Sequence, residues 1–564
     1  MKRGIFMVRM VKGCPSTSMN DYQLNTTTMI RHAVRNYPDR EIVYRSNNQI
    51  HRYTYKEAFT RMAKMANFLE KLGVKPGDKI GVLDWNSKRH FELYFAIPGK
   101  GATLLQMNLR ISADDLSYVT NHSEAKYIFV DESLLPVAEA IAPYLTTVEG
   151  FIVMSDKPLA EIKTSLSPIY HYEECIQTES ADYDWPMIDE TTAYSACYTS
   201  GTTGRPKGVY YSHRNIYLHT MEAAALIGAN SHDCLLVIVP MFHGQSWGFV
   251  HVAAMMGAKI VLPGRYAAED TSPLVDLMIE ENVTFAGGSP AIFLPMLHYI
   301  RTLEKKPDLS KARFLSGATE PPVSMMRGFK ELTGAEIIHA YGATETTPLV
   351  AINYQLNPNL LNKITEDEKW DLRRKQGMPV PGIDIKLCDP NTGEEVPRDG
   401  KSVGEVCLKG PWITGAYHHA PGTESNFRDG YWRSGDAGTI DENGYLKIVD
   451  RIKDVIKSGG EWISSIDMEN ALMGHPDVLE AVVVGIPHEK WQERPLALVV
   501  TKNNKTVPLE EFEELLYVHF AKWQLPDQIL YVEEIPKTSV GKFNKKEIVK
   551  KYELLYIGSG NQVS

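Results

Sequence analysis

The stretch "YTSGTTGRPKG", Tyr198 to Gly208, decides how this chain is interpreted. It combines three glycines, four serine or threonine hydroxyls and Lys207. Glycines leave backbone N–H groups open to a ligand, the hydroxyls add donors, and the lysine supplies a compact positive charge. A solvated hairpin turn would explain the glycines and threonines, but not so many donors beside one lysine. The stretch therefore predicts a loop that binds polyphosphate.

The sequence on either side separates this loop from the Walker A type. "TTAYSACYT" before it predicts a β-strand, and "GVYYSHRNI" after it predicts a strand followed by a loop. A Walker A loop needs the spacing G-x-x-x-x-G-K-[ST] and leads directly into a helix. A P-loop kinase is therefore disfavoured, and the phosphates would be bound without the help of a helix dipole.

Length and composition indicate a soluble protein of more than one domain. A chain of 564 residues is too long for one core, and 43% hydrophobic with 23% charged residues is ordinary for a globular protein. Sixty basic and seventy acidic side chains give a net charge of −10, which argues against nucleic acid as a partner. Six scattered cysteines indicate a reducing compartment, and the absence of a long apolar run predicts a cytoplasmic protein with no integral membrane segment.

The order of predicted elements defines the fold class. "TYKEAFTRMAKMANFLEKLG" reads as a helix with a Thr54–Glu57 capping box and an end at Gly73, and similar helices alternate with short apolar strands to about residue 350. We predict an α/β, multidomain α+β protein. Its large N-terminal domain, residues 1–451, has helix-covered, largely parallel sheets and a β-rich subdomain at about 377–450. A small, mobile α+β C-terminal domain spans 452–564.

Four further segments lead to a family resemblance. They are "YGATETTP" (Tyr341 to Pro348), "YWRSGDAG" (Tyr431 to Gly438), "DRIKDVIKSGGEWIS" (Asp450 to Ser464) and "PKTSVGKFNK" (Pro536 to Lys545). With the glycine loop, they resemble the core motifs of the adenylate-forming superfamily, in that family's order and over nearly the whole chain. "KSGGEWISSIDMENALMGHPDV" and "PMFHGQSWG" resemble the medium- to long-chain fatty acyl-CoA synthetases of bacteria and archaea.

The resemblance implies an AMP-forming reaction with ATP, Mg²⁺, coenzyme A and a small carboxylic acid, and it suggests a homodimer. Lys542 would bridge the acid carboxylate and the α-phosphate. Thr199 and Glu345 would be the metal ligands, since Mg²⁺ prefers hard oxygen donors. Catalytic roles are expected for Lys542, His243, Thr344 and Glu345.

The nucleotide would be held by residues from every motif. Asp436 would accept the ribose hydroxyls, aided by Arg451, and Lys453 would be the hinge. Lys457 would line a coenzyme A channel, and Trp462 would pack on the nucleotide. The full set expected to bind cofactors is Thr199, Ser200, Gly201, Thr202, Thr203, Gly204, Lys207, Gly317, Ala318, His339, Ala340, Tyr341, Gly342, Thr344, Asp436, Arg451, Lys453, Lys457 and Trp462.

The motif around His243 bears on the acid. Peptide-synthetase adenylation domains have an aspartate at this position, so His243 argues against an amino acid substrate and would position the carboxylate instead. Gly244 and Trp247 would line the entry of an acyl tunnel. We expect a medium- to long-chain fatty acid. A short, hydroxylated or aryl acid, a luciferase-like oxygenase and a non-catalytic nucleotide-binding relative remain as alternatives.

Overall fold

A computed structural model describes residues 11–19, 21–199, 205–267, 270–458, 461–502, 505–518, 520–537 and 543–556. The strands are β1 (Glu41–Ser46), β2 (Gln49–Thr54), β3 (Lys79–Leu83), β4 (Thr103–Gln106), β5 (Ala125–Asp131), β6 (Gly150–Met154), β7 (Ile169–His171), β8 (Ala193–Thr199), β9 (Lys207–Ser212), β10 (Cys234–Leu236), β11 (Lys259–Leu262), β12 (Phe285–Gly288), β13 (Arg313–Ser316), β14 (Glu336–Gly342), β15 (Leu349–Ile352), β16 (Met378–Pro379), β17 (Asp384–Cys388), β18 (Gly404–Lys409), β19 (Phe427–Arg428), β20 (Tyr431–Ile440), β21 (Leu446–Arg451), β22 (Ile456–Ser458), β23 (Glu461–Ile463), β24 (Val478–His488), β25 (Gln492–Thr501) and β26 (Gln528–Tyr531).

The helices alternate with these strands as the sequence predicts. They are α1 (Thr27–Asn36), α2 (Tyr55–Lys71), α3 (Lys88–Gly99), α4 (Ala113–His122), α5 (Leu135–Ile141), α6 (Tyr172–Gln177), α7 (His213–Ile227), α8 (Phe249–Met256), α9 (Ser272–Glu280), α10 (Pro290–Thr302), α11 (Val323–Thr333), α12 (Glu366–Arg374), α13 (Ser465–Met473), α14 (Leu509–Tyr517) and α15 (Lys545–Tyr552). The capping box of α2 is confirmed, with Thr54 and Glu57 bonded to each other's backbone N–H groups.

Two large sheets form the N-terminal part. One has the strand order β7-β6-β5-β3-β4-β8-β9, and the other has the order β16-β15-β14-β13-β12-β10-β11-β1-β2. The strands β3, β4, β5, β6 and β8 are parallel, as are β10 to β14, so both sheets require helices on their faces. One core cluster combines residues of both sheets with α3, which is buried from Arg89 to Gly99. The predicted fold class is confirmed.

Smaller sheets follow along the chain. The strands β17 to β21 form an antiparallel sheet, and β22 to β26 form a mixed sheet packed on α13, α14 and α15. The antiparallel sheet begins at Asp384, because β16 pairs with β15 of the nine-stranded sheet. Sheet membership changes between Arg451 and Ile456, the stretch where the sequence predicts a hinge.

Two local predictions are wrong. "GVYYSHRNI" was expected to be a strand followed by a loop, but β9 leads into α7 at once, because Ser212 caps the helix and exchanges bonds with Asn215. The stretch "PLEEFEELLYVHFAKW", Pro508 to Trp523, reads in the sequence as one helix, whereas α14 ends at Tyr517. None of the helices in the described ranges combines the length and apolar character needed to cross a bilayer.

Candidate active site

The two stems of the glycine loop face each other in a hairpin. β8 and β9 are antiparallel, and Thr199 lies opposite Lys207. The predicted phosphate ligands Ser200, Gly201, Thr202, Thr203 and Gly204 lie outside the described residues, so their roles stay predictions. The ring of Tyr198 covers Gly208 so closely that a Cβ added there would lie 2.9 Å from the tyrosine Cζ. A side chain at position 208 would therefore displace the Tyr198 ring.

Lys207 and Glu345 share one aromatic neighbour. The Lys207 ammonium lies 5.0 Å from the centre of the Tyr417 ring, and the Tyr417 hydroxyl donates to Glu345 Oε1 at 2.8 Å. Trp432 Nε1 donates to the same hydroxyl oxygen at 3.1 Å and fixes its orientation. Tyr417 thus holds the predicted phosphate-binding lysine and the predicted metal ligand side by side. Sequence reasoning missed this residue, because nothing in the turn-rich segment around it marks one tyrosine.

Glu345 lies in the short 3₁₀ turn Thr344–Thr346 that follows β14. Backbone contacts fix this turn: the Tyr211 hydroxyl donates to the Thr344 carbonyl at 2.7 Å, and the Thr414 N–H donates to the Glu345 carbonyl at 2.8 Å. Burial raises the pKa of the Glu345 carboxyl above its ordinary value. A nearby cation would favour the ionised form of the carboxyl, so the position suits a positively charged ligand.

The donor chemistry at Glu345 fits a magnesium ion that is held mainly by a nucleotide. Mg²⁺ commonly takes one or two protein oxygens and completes its coordination with phosphate oxygens and water. The described residues contain no group of three or more His, Cys, Asp or Glu side chains placed to hold a metal by themselves. Glu345, together with the Thr199 hydroxyl, would therefore hold the ion against the phosphates.

A second cluster joins Tyr341, Asp436 and Arg451. The Tyr341 hydroxyl donates to Asp436 Oδ2 at 2.5 Å, and Arg451 Nε lies 2.8 Å from Asp436 Oδ1. Asp436 and Arg451 are paired across β20 and β21, which explains how two distant motifs meet. Each carboxylate oxygen can accept a further hydrogen bond, so Asp436 keeps acceptor capacity for ribose hydroxyls.

We expect Asp436→Asn to raise the KM for ATP about tenfold or more, because a hydrogen bond to a charged group contributes roughly 1.5–3 kcal/mol. The KM for the acid should stay within about twofold, since the acid does not touch this carboxylate in the assigned geometry. Steady-state kinetics with each substrate varied in turn measures both values. Equal changes in the two KM values would contradict the assignment to ribose.

Close backbone packing surrounds the remaining predicted nucleotide residues. A Cβ on Gly342 would lie 1.9 Å from the Pro348 carbonyl oxygen, and one on Gly317 would lie 3.1 Å from the Ala340 carbonyl oxygen. Ala318 has a left-handed φ of 72°, a conformation that marks a sharp turn after β13. Gly342 therefore has no room for a side chain, and Gly317 has little.

His339 has a structural partner. Its Nδ1 lies 2.6 Å from the Arg374 carbonyl oxygen, and the side chain is buried. Burial lowers the pKa of His339 to about 4, so the imidazole is neutral. The side chain holds the C-terminal end of α12, and its expected role toward the nucleotide stays a prediction.

The segment after His243 turns in the left-handed direction. Gly244, Gln245, Ser246, Trp247 and Gly248 all have φ between 51° and 84°. Non-glycine residues avoid this region, and strain of this kind is concentrated at functional sites. The segment before the turn helps to hold it, because the Ser246 hydroxyl donates to the Val239 carbonyl at 3.0 Å.

This turn aims the Trp247 ring at two glycines. A Cβ on Gly317 would lie 3.0 Å from Trp247 Cη2, and a Cβ on Gly287 would lie 3.3 Å from its Cε3. The indole therefore occupies the space that side chains at the ends of β12 and β13 would fill. His243 and Trp247 are both half-buried at this edge. The structure thus brings Trp247, a predicted acid-binding residue, next to Gly317, a predicted nucleotide residue.

The C-terminal part presents a hairpin and an anchored helix. Lys457 and Trp462 face each other across β22 and β23, and Lys453 is exposed before them. Lys542 lies outside the described residues. Shortly after it, Lys545 begins α15 and is held by Glu469 at 2.9 Å and Ser465 at 2.5 Å.

The chain matches two family models. One, described as AMP-binding enzyme, covers residues 30–418, and the other, the AMP-binding enzyme C-terminal domain, covers residues 467–542. A long-chain-fatty-acid–CoA ligase of Thermus thermophilus is 42% identical, over 97% of this chain and 98% of that protein. A medium-chain-fatty-acid–CoA ligase of Ectopseudomonas oleovorans is 37% identical, over 96% and 98%.

A solved structure shares the architecture. The anthranilate CoA ligase AuaEII, in complex with anthranoyl-AMP, superposes with a TM-score of 0.83 at 23% identity, over 95% of this chain and 98% of that chain. At that identity the similarity establishes the fold. The family models and the two relatives establish the protein family. The chain belongs to the AMP-binding enzyme family, as an acid–CoA ligase of the AMP-forming acyl-CoA synthetase group.

Proposed function

We propose that this enzyme converts a medium- to long-chain fatty acid to its acyl-CoA, with ATP, Mg²⁺ and coenzyme A, through an acyl-adenylate. The observation that carries the proposal is the contact between Lys207, Tyr417 and Glu345, which joins the polyphosphate loop to the metal-binding turn. We assign the ribose site to the cluster formed by Tyr341 in β14, Asp436 in β20 and Arg451 in β21.

In the first step, a carboxylate oxygen of the acid attacks the α-phosphorus of ATP. A phosphorus–oxygen bond forms, the bond to the β-phosphate bridging oxygen breaks, and pyrophosphate leaves with the electron pair. Negative charge collects on the α-phosphate and on the leaving group, so cationic groups that are fixed beforehand lower the barrier. We assign Lys542 to the α-phosphate, Lys207 to the leaving pyrophosphate and His243 to the acid carboxylate. Magnesium bound at Glu345 would supply further charge neutralisation.

In the second step, the thiolate of coenzyme A attacks the acyl carbonyl carbon. A carbon–sulfur bond forms, the carbon–oxygen bond to the phosphate breaks, and AMP leaves. This step needs Lys542 removed and a channel for the thiol, which we assign to the hairpin that carries Lys457 and Trp462. The exposed Lys453 is assigned as the hinge between the two arrangements.

The chain length of the acid is assigned from the Trp247 turn and from the two fatty-acid ligases among the relatives. The test is ATP-dependent pyrophosphate release with acids from acetate to palmitate, benzoate and 4-hydroxybutyrate, with and without coenzyme A. An optimum between octanoate and palmitate, with turnover that depends on coenzyme A, is expected. Preference for benzoate or 4-hydroxybutyrate would overturn the fatty-acid assignment and leave the ligase chemistry in place.

We expect Trp247→Ala to shift the optimum toward longer acids, because the removed indole opens the space beside Gly287 and Gly317. The ratio of kcat/KM for palmitate to that for octanoate should rise about tenfold, the scale of discrimination by an apolar pocket. Trp523→Ala, at an exposed tryptophan of the C-terminal part, is the matched control. A uniform loss of activity with every acid would contradict the gating role.

A further inference from the structure

Helix α4 presents one row of side chains to the glycine loop. Two adjacent aspartates lie three and four residues before a tyrosine, and a histidine follows that tyrosine by four residues, so these side chains lie along one face. This loop-facing row consists of Asp114, Asp115, Tyr118 and His122. No motif in the sequence marks these residues, and the reaction assigned above does not use them.

The first half of the row holds Arg205, at the far end of the loop. The Arg205 guanidinium is paired with Asp114 and lies 3.1 Å from Asp115 Oδ1. Its Cζ also lies 5.3 Å from the centre of the Tyr118 ring, within the range of a cation–π contact. The arginine is therefore fixed by charge on one side and by an aromatic ring on the other.

The second half of the row holds Tyr198, at the near end of the loop. His122 Nδ1 lies 2.9 Å from the Tyr198 hydroxyl, and the two rings meet edge to face with centres 5.8 Å apart. The Tyr118 and His122 rings pack against each other with centres 5.1 Å apart and planes tilted by 30°, which connects the two halves. On the other side, the His418 N–H donates to the Gly208 carbonyl at 2.9 Å.

We propose that the loop-facing row of α4 positions Tyr198 and Arg205, on either side of the predicted phosphate-binding residues, for ATP binding. The inference rests on the proposed function, in which the glycine loop binds the β- and γ-phosphates. Side chains that are fixed before a ligand binds lower the entropic cost of binding, and the row fixes Tyr198 and Arg205 in this way. The row contacts Tyr198 and Arg205 beside the predicted phosphate ligands, so we expect its effect to be confined to ATP binding and the first half-reaction.

The residues of the row contribute unequally. An exposed ion pair contributes little, so the aspartates supply the smaller share. Tyr118 and His122 are half-buried and act through the ring stack and the hydrogen bond. We expect Tyr118→Ala and His122→Phe each to raise the KM for ATP about five- to tenfold, the range for one ordinary contact.

The test measures both half-reactions in the full-length enzyme. Pyrophosphate release gives the KM for ATP, and transfer from a synthetic acyl-adenylate to coenzyme A gives the rate of the second step, which should be unchanged in both variants. His122→Asn keeps a polar group near the Nδ1 position and should recover most of the affinity that His122→Phe loses. Equal losses in the two half-reactions, or an ATP KM within about twofold of the unaltered enzyme, would overturn the proposal.

The chain offers a matched control. Arg327 is paired with Asp367 at 2.5 Å, and its Cζ lies 5.5 Å from the Trp370 ring centre, the same arrangement between α11 and α12. Trp370→Ala should leave the KM for ATP unchanged. Two measurements separate the two proposals. An unaltered enzyme that binds ATP in a calorimetric titration but releases no pyrophosphate with any acid of the panel contradicts the proposed function, while a normal ATP Kd in Tyr118→Ala contradicts the role of the row.

Discussion

Lys542→Ala should lose adenylate formation while it still transfers a preformed acyl-adenylate to coenzyme A. The assigned lysine neutralises charge that grows on the acid carboxylate and the α-phosphate, and removal of one such donor lowers a rate roughly 10²- to 10³-fold. The second half-reaction does not use that charge, so its rate should stay within about twofold. Pyrophosphate release and transfer from synthetic acyl-AMP measure the two steps separately.

The control for this substitution is Lys546→Ala, which removes an exposed lysine at the start of α15. It should leave both half-reactions unchanged. Lys542 stands shortly before the anchor formed by Lys545, Glu469 and Ser465, so its loss should not disturb α15. If both half-reactions fell together in Lys542→Ala, the lysine would not act in the first step alone.

Glu345→Gln should lower adenylate formation roughly 10²-fold, because the loss of a metal ligand removes several kcal/mol of charge stabilisation. Glutamine has nearly the same shape and keeps an oxygen for the Tyr417 hydroxyl, so the fold should survive. Glu442→Gln, at an exposed turn, is the control. Retention of full activity at limiting Mg²⁺ would contradict the assigned metal site.

Glu345 also predicts a pH dependence. Burial raises the pKa of this carboxyl, so protons compete with Mg²⁺ at higher pH than they would at an exposed glutamate. The apparent affinity for Mg²⁺ should therefore weaken as the pH falls, and Glu345→Gln should lose that dependence. Mg²⁺ titrations of pyrophosphate release at several pH values measure both effects. An affinity in the unaltered enzyme that does not change with pH would contradict this reasoning.

Local signals in the sequence predicted much of the fold. The Thr54–Glu57 capping box and the repeat of apolar residues after it specify α2 through interactions within one helix. Short apolar strands between such helices require a covered, parallel sheet. The family resemblance assigned the motifs that contain Tyr341 and Asp436 to the same nucleotide site. The structure places these two side chains in contact.

Other features depend on contacts between distant segments. Tyr417 meets Glu345 and Lys207 only after the antiparallel sheet has folded against the hairpin. Trp247 adopts a left-handed φ that local preference disfavours and that the surrounding packing must impose. In the sequence, the segment that forms α4 is typical of an ordinary capped helix. The role proposed for its loop-facing row is visible only from the contacts with Arg205 and Tyr198 in the folded protein.

The most direct test of the central claim follows the acid oxygen. Incubation of the enzyme with ATP, coenzyme A and a fatty acid labelled with ¹⁸O in its carboxylate should yield AMP that carries one ¹⁸O atom, together with pyrophosphate and acyl-CoA, as shown by mass spectrometry. The label reaches AMP only if a carboxylate oxygen bonds to the α-phosphorus. Unlabelled AMP, or ADP and phosphate as products, would contradict an acyl-adenylate intermediate and with it the account of the site.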